Sequence, residues 1–162
     1  MDTSVLVAYA DSGEPEHARC LALLDQEPTV LVSTALVLTV TGWLISRQLG
    51  ALAEAGFYRS VVDGELEVRA LGREAWVRVS RLTGKYAGND LGGVDPSLVA
   101  VTERLRLNTI ATLDHNHLRA VRPRHVKAFK IVPWLVLFVG RACDDCVAPG
   151  IDISPVPRLP LT

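Results

Sequence analysis

The sequence predicts an α/β fold, a mostly parallel sheet flanked by helices on both faces. Three observations predict it. Short runs rich in β-branched and apolar residues occur at 29–32, 66–71, 109–113 and 129–132. Helix-length amphipathic stretches separate them, and strands joined through helices run parallel. The chain has 162 residues and 49% hydrophobic content, enough for one sizeable core.

Each element has a local reason. Residues 5–10 form a short apolar run, closed by the turn chemistry of Asp11-Ser12-Gly13. A helix is predicted over 14–26, with Ala18, Leu21, Ala22 and Leu24 near one face and Pro28 as its stop. A strand over 29–32 follows. Ser33 or Thr34 can then cap a helix that ends at Leu49 before Gly50. A further helix spans 51–62, with Gly64 after it. Alternation over 66–71 predicts a strand. Trp76, Val79 and Leu82 are in helical register within 73–85. Gly84, Gly88, Gly92 and Gly93 mark a loop, and Asp95-Pro96-Ser97 opens a helix over 95–107. A strand at 109–113, a turn at 114–117 and a last strand at 129–132 complete the domain, read as 1–133. Residues 134–162 read as a C-terminal extension, irregular and proline-rich from about 141.

Composition excludes some classes. Lys and Arg total 17 against 18 Asp and Glu, so no global charge recruits nucleic acid or membrane. The hydrophobic content excludes a mainly disordered chain. Residues 28–46 carry no charge, but seven of them are Ser, Thr or Gly, so a buried strand and helix fit better than a membrane span. Cys20, Cys143 and Cys146 make no disulfide framework, which points to a reducing cytoplasm. No basic leader opens the sequence.

Three acids stand at places where an α/β sheet gathers a site, beyond the carboxyl ends of its strands. Asp114 directly follows an apolar strand, and an Asx-turn is its simple structural reading. Asp95 opens a helix after a glycine-rich loop, where capping is the simple reading. Asp2 sits at the chain start, where fraying is the simple reading. Residues 115–130 hold Arg119, Arg122, Arg124, Lys127 and Lys130, with no acid. That strip is either a phosphate-binding surface or a solvated face. Cys143-Asp144-Asp145-Cys146 is only half of a zinc site. The apolar run at 133–140 reads as packed or covered by a partner.

Taken together, these segments resemble one family. Asp2-Thr3-Ser4-Val5-Leu6-Val7-Ala8-Tyr9, Gly92-Gly93-Val94-Asp95-Pro96-Ser97 and Thr112-Leu113-Asp114-His115-Asn116-His117 resemble, in order and spacing, motifs of PIN-domain ribonucleases, particularly VapC-type toxins. The resemblance extends through Phe129-Lys130-Ile131-Val132-Pro133. It implies a metal-dependent endoribonuclease, the toxin of a type II toxin–antitoxin pair. Asp2, Asp95 and Asp114 would hold Mg²⁺ or Mn²⁺, and Arg119, Arg122, Arg124 and His117 would contact RNA. It also implies a homodimer, a cognate antitoxin and a cytoplasmic location without membrane.

The chain departs from the family at two points. Thr39 stands where the family has a Glu on the helix after the second strand, and only Met1 precedes Asp2 where the family has an apolar strand. Asp90 is a candidate replacement ligand. The departures keep open a catalytically impaired PIN-like module that binds RNA or an antitoxin without cutting. A phosphotransfer domain with Asp2 as nucleophile is disfavoured, because Ser4 stands where such a motif has a second Asp.

Overall fold

The computed structural model describes residues 1–25, 30–89 and 91–133. The elements are α1 (Thr3–Ala10), α2 (His17–Asp25), β1 (Leu31–Thr34), α3 (Ala35–Leu49), α4 (Ala51–Val62), β2 (Leu66–Arg69), α5 (Arg73–Lys85), α6 (Val94–Arg104), β3 (Thr109–Ala111), α7 (His115–Ala120) and β4 (Lys130–Val132). The order is that of an α/β chain, as the sequence predicts.

Several boundaries differ from the sequence expectation. The apolar run at 5–10 lies in a helix whose N-cap is Asp2. Val5, Leu6, Val7 and Ala8 are all buried, so this helix has no solvent face to show a period. The helix expected from 14 begins at His17. The strand expected at 29–32 runs Leu31–Thr34, and Thr29 lies outside the described residues. The turn expected at 114–117 opens α7 instead, with Asp114 as its cap.

The uncharged stretch 28–46 resolves into β1 and most of α3. No helix among the described residues is long and apolar enough to cross a membrane. Thr34 ends β1 and caps α3, accepting from Val37 N at 3.3 Å. Its hydroxyl also meets Ser97 Oγ at 2.8 Å, which fixes the start of α3 against the first turns of α6. Gly50 closes α3 with φ of 90°, a conformation that favours glycine. Gly42 lets α4 approach: a methyl there would overlap the Tyr58 hydroxyl.

The sheet is split in two. β1 pairs with β2 in parallel, from Leu31 opposite Leu66 to Thr34 opposite Arg69. β3 pairs with β4 in parallel, from Thr109 opposite Lys130 to Ala111 opposite Val132. Side chains alternate across the β3–β4 pair. Ile110 and Ile131 pack with Leu82, Val99 and Leu118, from α5, α6 and α7. Ala111 and Val132 pack with Val5, Ala8 and Cys20, from α1 and α2. Helices therefore cover both faces. On the other half-sheet, Leu66 joins Leu6, Val37, Leu38 and Leu98. Full burial of such side chains contributes roughly 1.5–3 kcal/mol each.

Candidate active site

Asp2 is the joint between β3 and α1. Its backbone N donates to Ala111 O at 2.9 Å. Its carboxylate, in a residue only 5% exposed, accepts from three donors: Thr3 N at 2.7 Å, Ser4 Oγ at 2.8 Å and Thr112 Oγ1 at 2.7 Å. A carboxylate at a helix N-terminus also complements the helix dipole. Far from fraying, Asp2 is a fixed point of the fold.

Thr112 and Ser4 carry that order onward. Thr112 Oγ1 accepts from Asp114 N at 3.0 Å, and Ser4 Oγ accepts from Leu113 N at 2.9 Å. The chain beyond β3 is thereby held over the start of α1. Asp114 Oδ1 accepts from the amides of Asn116 and His117 at 3.1 and 3.3 Å, capping α7. Its Oδ2 faces His117 Nδ1 at 3.0 Å.

Asp95 lies in the first turn of α6. The sequence's simple reading made it the cap, but the N-cap is Gly93 and no side chain caps this helix. The Asp95 carboxylate instead turns toward His117, with Oδ2 at 3.5 Å from Nδ1. Burial pushes the Asp95 carboxyl up to about 6, and the charges of Asp2 and Asp114 add to the rise, while His117 opposes it. The three acids thus feel one another, although they come from the chain start, a helix opening and a strand end.

His117 stands between two carboxylates rather than outside with the basic strip, where the sequence placed it. The signal was its spacing, three residues after the cap of a short helix. Arg119 is exposed and lines an opening of about 680 Å³ together with Ser4, Asp114, His115 and Asn116. Arg122 and Arg124 are held through their backbones. Arg78 Nη2 donates to Arg122 O at 3.4 Å, and Arg124 N donates to Glu103 Oε1 at 3.0 Å. Glu103 lies eight residues along α6 from Asp95, roughly 12 Å at 1.5 Å per residue.

Thr39 is exposed, and its hydroxyl donates to Ala35 O at 2.8 Å within its own helix. It brings no charge. Asp90, the run 134–140, Cys143 and Cys146 lie outside the described residues. Cys20 is a buried free thiol.

Among the described residues, no group of three or more His, Cys, Asp or Glu stands ready-made around a metal position. The donor chemistry nonetheless fits a hard divalent cation. Three carboxylates supply oxygen ligands of the kind Mg²⁺ and Mn²⁺ prefer. Their mutual repulsion, visible at Asp95, is what a cation relieves.

A family model described as PIN domain matches residues 1–123. The chain belongs to the PIN-domain family. It is 32% identical over 133 residues to Ribonuclease VapC26 of Mycobacterium tuberculosis, covering 82% of this chain and 98% of that one. Its fold is similar to that in the crystal structure of VapC20 of Mycobacterium tuberculosis, a sarcin-ricin loop cleaving toxin. The TM-score is 0.69 at 18% identity, covering 78% of this chain and 96% of that one. At that identity the likeness speaks for the fold. The PIN assignment accounts for the parallel strands, the helices on both faces and the gathering of acids beyond β3.

Proposed function

We propose that this PIN-domain protein is an endoribonuclease that depends on Mg²⁺ or Mn²⁺ and acts as the toxin of a toxin–antitoxin pair. The observation that carries the reading is the convergence of Asp2, Asp95 and Asp114, with Asp95 pushed up to about 6 by burial and its acidic neighbours. The three carboxylates would hold the cation. When bound, such an ion activates water and stabilises charge on a scissile phosphate.

The chain's own groups prepare that chemistry. Thr3 N, Ser4 and Thr112 fix Asp2 so that it does not reorganise on loading. Asp114 caps α7 and thereby sets where His117 and Arg119 stand. His117, when protonated, offsets the carboxylate charge in the empty state. Arg119, beside Asp114 at an open rim, binds the RNA backbone. Arg122 and Arg124 would meet a longer RNA further along the surface. Exposed Trp43, Leu52 and Val62 on α3 and α4 are the kind of apolar surface that a protein partner covers. A cognate antitoxin and a second copy are the partners in this reading, and the cytoplasm is its compartment.

A second reading rests on Thr39. Its hydroxyl is spent on Ala35 O, so no fourth carboxylate comes from that position. A PIN module that binds RNA or an antitoxin without cutting has the same fold. The test is RNA cleavage with Mn²⁺ or with chelator, alongside calorimetric titration of Mn²⁺. Cleavage that chelator stops and Asp95→Asn abolishes supports the nuclease. RNA binding without cleavage at any Mn²⁺ concentration supports the module. In either case Arg119→Ala should weaken RNA binding across sequences and flatten its salt dependence.

A further inference from the structure

We propose that the flank of α5 carrying Arg81 and Lys85, with the segment 122–124 held against it, docks the phosphate backbone of a paired RNA stem.

The charge distribution is the first observation. Residues 75–89 hold Arg78, Arg81 and Lys85 and no acid. Residues 115–130 hold Arg119, Arg122, Arg124, Lys127 and Lys130 and no acid. On α5 the three cations recur at intervals of three and four residues, so they share one flank of the helix. That flank borders the buried face of Ala75, Val79 and Leu82. Trp76, 48% exposed, falls on the opposite flank.

The way the two stretches meet is the second observation. Arg78 Nε and Nη2 donate to the Glu103 carboxylate at 2.9 and 2.7 Å. Arg78 Nη2 also donates to Arg122 O, and Arg122 N donates to the Tyr86 hydroxyl, each at 3.4 Å. Arg124 N donates to Glu103 Oε1 at 3.0 Å. The backbone of 122–124 is therefore fastened beside the α5 flank. Arg78 and Glu103 are 13% and 10% exposed and balance each other's charge, so this pair is the fastening rather than the docking surface. Arg81, Lys85, Arg122 and Arg124 are exposed, and none of them pairs with a carboxylate among the described residues. Like charges fixed side by side repel, and a polyanion relieves that cost.

The chemistry of the surface selects its occupant. Guanidinium groups match phosphate oxygens with two parallel donors. The flank offers no ring for stacking: Trp76 points away, and Tyr86 packs against the core with Lys85 Nζ 5.2 Å from its ring centroid. Surfaces that bind single strands combine charge with aromatic platforms for the bases. A paired stem hides its bases and presents phosphates and 2′-hydroxyls, which cations alone can hold. Glu103, at the fastening, lies roughly 12 Å along α6 from Asp95, so one RNA can touch both places. The inference rests on the nuclease reading only in taking RNA as the polyanion.

The test is binding, measured in chelator by fluorescence anisotropy. One probe is an RNA duplex of about 20 base pairs, and the other is an oligouridine strand of about the same length. The full-length chain is compared with Arg81→Gln/Lys85→Gln and with Arg59→Gln/Arg73→Gln, which removes the same charge from α4 and from the first residue of α5. Both pairs are exposed, so melting temperatures should stay within about 2 °C of wild type. Arg81→Gln/Lys85→Gln should weaken duplex binding about tenfold and lower the slope of log affinity against log salt by about 1–2. The Arg59 and Arg73 control should stay within about threefold of wild type, and oligouridine binding should change by less than about threefold in both variants. Duplex affinity unaltered in Arg81→Gln/Lys85→Gln would overturn the proposal. So would an equal loss in the control, which would make the effect one of net charge, or an equal loss for oligouridine, which would remove the stem. A wild-type chain that binds no duplex at low salt overturns it as well. No readout involves cleavage or metal, so a chain that never cuts RNA still tests the surface, and a cutting chain with an idle α5 flank refutes the surface alone.

Discussion

Replacing Asp95 with Asn should stabilise the metal-free protein, and only above a definite pH. Asp95 is raised from its ordinary 3.8 to about 6, first by burial and then by Asp2 and Asp114. Between those values the folded state keeps a proton that the unfolded chain has released. Stability therefore falls as pH rises through that window, and the penalty is complete above about 6 to 7. The rise corresponds to roughly 3 kcal/mol at about 1.36 kcal/mol per tenfold. The carboxylate side chain is 18% exposed, so solvent screening reduces this to about 1–2 kcal/mol. At pH 8 Asp95→Asn should melt about 3–6 °C above wild type in chelator. At pH 4 the two should melt together, because Asp95 is then largely neutral. Urea or thermal unfolding across pH 4 to 8 measures both. Adding Mn²⁺ at pH 8 should stabilise wild type through binding to the folded state, and the variant less. A gain equal at both pH values, or a loss at pH 8, would refute the repulsion argument.

Three further expectations follow from the same geometry. Thr112→Val removes the hydroxyl that donates to Asp2 and accepts from Asp114 N, so thermal unfolding should show a loss of about 1–3 kcal/mol, with weaker Mn²⁺ binding by calorimetry. Arg78→Ala leaves Glu103, whose side chain is 10% exposed, without its two-bond partner; urea unfolding should show a loss of about 2–3 kcal/mol, below the roughly 3–5 kcal/mol of a fully buried pair. Thr39→Glu should lower the melting temperature in chelator and raise it with Mn²⁺, alongside a gain in RNA cleavage, if that exposed position looks into the site; no change in metal response would show that it does not.

Some of the fold was legible locally and some was not. The α3 and α4 hairpin was readable because Thr34, Gly50 and Gly64 punctuate it with side chains whose roles are short-range. α5 was readable from its periodic apolar face. α1 was not, because a helix buried on every side has no amphipathic period. The split of the sheet was also hidden: it depends on which strand lies beside which, a long-range fact. At the site, the three acids were legible through motif order. The Ser4 and Thr112 hydroxyls that position them were not, since they meet across more than a hundred residues of sequence. The basic strip looked continuous because its residues are close in sequence. The pair of Arg78 and Glu103, which holds the backbone of Arg122 and Arg124, was not legible there.

The three acids do not bear equally on function. Asp2 caps α1, and its carboxylate takes three hydrogen bonds, so the fold needs it whether or not RNA is cut. Asp114 caps α7 and likewise has structural work to do. Asp95 has none of this. Gly93 is the cap of its helix, its carboxylate lies 3.5 Å from His117 Nδ1, and its ionisation is opposed by burial and by two like charges. A residue that costs stability and satisfies no backbone group has its physical justification in something that binds it. That makes Asp95, rather than the more securely held Asp2, the position at which the metal-dependent reading is most exposed. If Asp95→Asn stabilises the apo protein while leaving the Mn²⁺ response intact, the cation is held elsewhere. If the variant stabilises and the response disappears, the cost of that buried carboxylate has been traced to the ligand it serves.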